Sequence, residues 1–103
     1  MAQKKAVQEF LQLVNKTESM QQLTKAVEEE PARILLAICR EYEATREPVS
    51  DHRIHISGFI GEMALKSLSL AGLITIKKGG HFALYQYVPT EEGLAQYKNL
   101  SGN

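Results

Sequence analysis

Apolar residues recur at helical spacing along most of the chain, and the interruptions mark its joints. Val7, Phe10, Leu11 and Val14 fall three and four apart between residues 3 and 15, with Lys and Gln on the other side, which predicts an amphipathic helix. Asn15-Lys16-Thr17-Glu18 breaks the pattern. Ser19 with Gln22 three residues on fits a capping box for a second segment, in which Met20, Leu23 and Val27 continue the stripe up to Glu28-Glu29-Glu30; the alternative is one bent helix. Pro31 then suits the first position of a new helix, where the missing amide hydrogen costs nothing. Ile34, Leu35, Ile38, Cys39 and Tyr42 form the apolar stripe of that helix, which ends at Arg46-Glu47-Pro48. Val49 offers a short strand. Ser50 is a suitable N-cap for a short second helix over residues 51–56, and Ser57-Gly58 supplies the turn before a third helix opened by Phe59 or Ile60.

From Gly72 the period changes from helical to alternating. Gly72 closes the third helix in a left-handed cap, and Leu73-Ile74-Thr75-Ile76 begins a strand at once. Gly79 and Gly80 lie between that strand and a second one over residues 82–88, a hairpin signal, because glycine accepts the positive φ of tight turns. Alternation sends Tyr85 and Tyr87 to the same face of the second strand, with packing within the hairpin the expected use of that face. After Pro89, Thr90 with Glu91 and Glu92 has the chemistry of a helix start, and Leu94, Tyr97 and Leu100 share one side of the helix that follows. The third helix has two apolar sides. Ile60, Ala64, Leu65, Leu68 and Ala71 suit a core, whereas Phe59, Met63 and Leu70 fall opposite, beside Lys66. Such a helix is either buried on both sides or open to a partner.

Leu68-Ser69-Leu70-Ala71-Gly72-Leu73-Ile74, a short basic glycine-containing turn, and a tyrosine-rich strand running into Pro89-Thr90-Glu91-Glu92-Gly93-Leu94 together resemble the winged helix-turn-helix superfamily. The pattern is most similar to small prokaryotic transcription regulators of the multiple-antibiotic-resistance and arsenical-resistance types. The resemblance covers roughly the last two-thirds of the chain. It implies a mainly α fold with a small β-hairpin, of the α+β class: a winged helix-turn-helix over residues 31–100, a C-terminal helix, and an added N-terminal helical extension over residues 1–30. It also implies double-stranded DNA as partner, a role in transcription regulation, and a homodimer through the N- and C-terminal helices. Major-groove readers place polar or cationic side chains at the start of the third helix. Here those positions hold Gly58, Phe59, Ile60, Gly61, Glu62 and Met63. The expectation is therefore contact with the DNA backbone through the wing, by Lys77, Lys78 and His81, extended by Arg53 and Lys66. The alternative is a protein–protein interaction module that docks a partner through Phe59, Met63 and Leu70.

Composition sharpens this picture in two places. One hundred and three residues suffice for one domain with its own core. Twelve Lys and Arg balance twelve Asp and Glu, so any nucleic-acid contact rests on a local patch and not on a global field. The lone Cys39, read as a small core filler, precludes an internal disulfide framework. With no apolar run of spanning length and no signal-peptide pattern, it predicts a cytoplasmic protein off the membrane. His52 and His55 lie three apart without a second ligand cluster, and no nucleophile, paired carboxylates or phosphate loop stands out. The expectation is a protein that is not an enzyme, with no metal and no cofactor.

Overall fold

The computed structural model describes residues 2–56, 58–80 and 83–102. Four helices and a small antiparallel sheet follow one another as α1 (Ala2–Asn15), α2 (Glu18–Thr45), β1 (Val49–Ser50), a 3-10 turn (Asp51–Arg53), α3 (Gly58–Leu70), β2 (Ile74–Lys78), β3 (Tyr85–Pro89) and α4 (Glu91–Leu100). The chain is thus mainly helical with a three-stranded sheet of order β1-β3-β2. Its core starts at Ile34. Ile34, Leu35, Ile38 and Cys39 of α2 pack with Val49, Ile54, Ala64, Leu65, Leu68, Ile74 and Tyr87.

The break after α1 is real, and Thr17 makes it. Its Oγ1 donates to the Val14 carbonyl at 2.7 Å and accepts from the Met20 amide at 3.4 Å, so one hydroxyl serves an orphan group of each helix. Thr17, and not Ser19, is the N-cap. The expected helix start at Pro31 is corrected, because α2 runs without interruption from Glu18 to Thr45 with Pro31 inside it. A proline there removes one bond to the carbonyl four residues back, that of Val27. Val27 is exposed, so water can take up that carbonyl. Good helix formers surround the site, and Arg33 pairs with Glu30 across it. The helix ends at Arg46, whose φ of 59° is left-handed and whose amide donates to the Tyr42 carbonyl at 2.6 Å.

Ser50 caps as expected, its Oγ accepting from the His52 amide at 3.1 Å, but only Asp51–Arg53 is helical. The expected helix over 51–56 stops early. Ile54 turns to extended backbone and enters the core, and the Arg33 guanidinium donates to the freed His55 carbonyl at 2.7 Å. The end of α3 follows the sequence. Gly72 has a φ of 78°, its amide donates to the Ser69 carbonyl at 3.0 Å, and the Leu73 amide donates to the Leu68 carbonyl at 2.9 Å, the paired bonds of a Schellman motif.

The hairpin is present but its turn differs from the expected one. β2 and β3 pair in the register Ile74↔Pro89, Ile76↔Tyr87 and Lys78↔Tyr85, so residues 79–84 connect them and the strand begins three residues later than predicted. Neither Gly79 nor Gly80 has a positive φ. Gly79 is instead required by close approach: its amide donates to the Leu84 carbonyl, and a Cβ on it would fall 2.1 Å from the Ala83 carbonyl oxygen. Beyond β3, Thr90 Oγ1 accepts from the Gly93 amide at 3.0 Å and donates to the Gly72 carbonyl at 2.6 Å, fastening the start of α4 to the end of α3. Among the described residues no helix is long and apolar enough to cross a membrane.

Candidate functional site

α3 and the β2–β3 hairpin enclose a groove of about 610 Å³. Its floor is apolar and built by the local rules above. Ile54 is there because the 3-10 turn ends early, Leu65 because it lies on the core side of α3, and Tyr87 and Ile76 because they face each other across the ladder. Lys66, Leu70 and Tyr85 form its open upper edge. The expectation that Tyr85 and Tyr87 share a face holds: Tyr87 is buried and Tyr85 half exposed, and both line the groove.

The candidate nucleic-acid residues separate into groups. Lys77 and Lys78 are both exposed on β2, but consecutive strand residues point to opposite faces. Lys78, opposite Tyr85, shares the face of Ile76 and the groove; Lys77, opposite Gln86, lies on the other side. The two therefore do not form one cationic tip. Lys66 lines the groove and Lys78 lies on the same strand face as Ile76, and neither makes an ion pair among the described residues. Arg53 does: its Nη1 lies 2.8 Å from Glu41 Oε1, so part of its charge is already answered. His81 lies outside the described residues.

The alternative site is exposed. Phe59 and Leu70 show 75% and 79% of their surface and Met63 nearly half, along one face of α3 that also carries Lys66. Two carboxylates temper the charge of this region. Glu62 lines the groove, and Asp51 sits at its base with Oδ1 buried and without a hydrogen-bond partner among the described residues. The Tyr87 hydroxyl is pushed above its ordinary pKa, first by burial and then by the Asp51 carboxylate, so it stays neutral.

Sequence reasoning missed Asp51 as part of the groove, since its neighbours pointed only to capping. The alternation of Tyr85 and Tyr87 was the signal for the groove's far wall. Among the described residues no group of three or more His, Cys, Asp or Glu side chains could hold a metal ion. No family model, curated protein or solved structure matches the chain.

Proposed function

We propose that the chain is a winged helix-turn-helix module that holds the backbone of double-stranded DNA. The observation that carries this reading is the order of its parts. A helix, a short strand, a helical turn, a second helix and a hairpin follow one another, the strands pair as β1-β3-β2, and neither Lys66, in the groove between α3 and the hairpin, nor Lys78, on the same face of β2 as Ile76, has an ion-pair partner among the described residues. In this reading Lys66 and Lys78 meet phosphates on the groove side of the hairpin, Lys77 meets one from the hairpin's other side, and Arg53 contributes less because Glu41 holds it. The start of α3 offers Phe59, Glu62 and Met63 in place of base-reading side chains, so binding is weak in sequence preference.

Three phosphate contacts predict a slope of log affinity against log salt near −3, and so an affinity loss of about 40-fold between roughly 50 and 200 mM salt. Fluorescence anisotropy with a labelled random duplex measures it. The Lys66→Ala, Lys78→Ala double variant should flatten the slope by about 2. Absence of affinity at the lower salt, or an affinity indifferent to salt, overturns the proposal.

A second reading, a module that docks a protein through Phe59, Met63 and Leu70, is favoured by the exposure of all three. It accounts for the zero net charge, and for Glu62 on a face that would otherwise meet phosphate. The same titration separates the readings, since this one expects no salt-dependent affinity for duplex.

A further inference from the structure

The groove between α3 and the hairpin is apolar along its rim and floor and acidic at one end, and neither property is answered from within the chain. Leu70 and Leu84 are 79% and 77% exposed, Tyr85 is half exposed and Ile76 about a third, and all four line it. Ile54, Leu65 and Tyr87 close the floor beneath them. Large apolar side chains are common singly on a surface, but four turned onto one concavity mark a place that something covers. Phe59 and Met63 lie outside the lining, so the groove shares only Leu70 with the apolar face of the second reading.

The acidic end is made by Asp51 and Glu62. Burial raises the Tyr87 pKa first, and Asp51, Tyr85 and Glu62 each raise it further, so both carboxylates act on one phenol at the floor. Asp51 Oδ1 is buried and has no hydrogen-bond partner among the described residues; His52 Nε2 stands 3.8 Å away, too far to donate. Glu62 pairs with no cation among the described residues, although Lys66 follows it by one turn on the same helix. Two carboxylates against the one ammonium of Lys66 leave the lining with a negative charge in excess. Lys66 is exposed, so its ammonium stays in water while its stem borders the groove.

We infer that the groove binds a small organic cation, an apolar ring body that carries a protonated amine. The ammonium lies at the Asp51 and Glu62 end and supplies the donors that these carboxylates lack, with the tyrosine rings as further partners for a cation. The ring body covers Leu65 and Ile76 and is flanked by Leu70, Leu84 and Tyr85. The volume of about 610 Å³ falls in the range of roughly 300–1,000 Å³ typical of small-molecule sites, and a lone lysine or arginine side chain from a protein partner would leave most of it unfilled. An anion of the same shape meets two carboxylates and has only Lys66 in its favour. Discrimination by the sign of the charge is therefore the signature of the site.

The site is independent of the proposed DNA contact, and its test contains no nucleic acid. The isotope-labelled full chain is titrated with naphthylmethylammonium, with the neutral naphthylmethanol and with the anionic naphthoate, and amide chemical shifts are followed by NMR. The ammonium should bind with a dissociation constant on the order of 100 µM, as suits a ligand of about a dozen heavy atoms. Its shifts should gather at Asp51, Leu65, Lys66, Ile76 and Tyr87. The alcohol should bind about 10-fold more weakly and naphthoate more weakly again. Glu62→Gln, an exposed change that leaves the core untouched, and Asp51→Asn should together weaken the ammonium at least about 10-fold and leave the alcohol unaffected. The three probes compared on the unsubstituted chain need no variant to fold. No shift at about 5 mM ammonium overturns the inference. So does naphthoate binding as tightly as the ammonium, or an ammonium affinity that survives both substitutions. Groove resonances that move with protein concentration alone would assign the space to a second copy and overturn it as well.

Discussion

Substituting Gly93 by alanine adds one methyl group in the first turn of α4, at a place where the structure has no room for it. The new Cβ would lie 2.0 Å from the Leu73 carbonyl oxygen, more than 1 Å inside contact distance, and 3.0 Å from its carbon. Both neighbours are backbone, so no side chain can swing aside. Relief requires α4 to lift from the α3–β2 corner. That corner is tied by the Thr90 amide to the Leu73 carbonyl at 3.0 Å and by the Thr90 hydroxyl to the Gly72 carbonyl at 2.6 Å. Overpacking of this kind costs about 1–3 kcal/mol, and weakening a hydrogen bond at the corner adds about 1. Alanine returns up to about 1 kcal/mol as the better helix former. The net expectation is a loss of about 2 kcal/mol, a fall in Tm of roughly 10 °C for a chain of this size. Thermal and urea unfolding followed by circular dichroism measure it. Gly80→Ala is the control: its Cβ meets nothing within 4 Å among the described residues and its φ is not positive, so it should be neutral or slightly stabilising. A Gly93→Ala protein as stable as the parent, or more so, would refute the account of α4 pressed onto the Leu73 backbone.

Arg46→Gly should stabilise by about 0.5–1 kcal/mol, since a left-handed φ of 59° strains any residue with a Cβ and Arg46 is exposed; a rise in the urea midpoint at unchanged slope checks it. The Cys39 thiol is pushed up to about 11, first by burial and then by the Glu43 carboxylate, so it should resist a thiol reagent at pH 8 in the folded protein and react on unfolding. Because folding raises this pKa from 9.0, its contribution to stability is complete below pH 9 and is lost as pH climbs toward 11. Comparing the pH dependence of Tm with that of Cys39→Ala isolates the effect, and identical curves would refute it.

What could be read from the residues was whatever depends on neighbours within a turn or two. The Gly72 cap, the Ser50 and Thr90 caps and the split after Asn15 were legible because each is decided by a hydroxyl or a missing Cβ acting on adjacent amides. Pro31 misled because its preference for a first helical position is a tolerance, and the formers on either side carried α2 through it. Gly79 and Gly93 were opaque for another reason. Each is glycine because a distant or looped-back carbonyl passes over it, and no local pattern announces which carbonyl will come. At the candidate site, Lys77 and Lys78 read as one basic tip, whereas the pleat divides them between two faces. That Phe59, Met63 and Leu70 form a second apolar side was legible, since period alone put them opposite the core, but their exposure was not, because burial on both sides fits the same pattern.

The unbroken run of α2 has a mechanical meaning. Its 28 residues make a rod of about 42 Å whose first half forms an exposed arm with α1 and whose second half buries Ile34, Leu35, Ile38 and Cys39 in the core, so the two regions cannot turn independently. Whatever grips the arm sets the attitude of the grooved face at the far end, as a handle sets a blade. The rod is softest at Pro31, where one rung of its ladder is missing, and any tilt between grip and blade will be concentrated there.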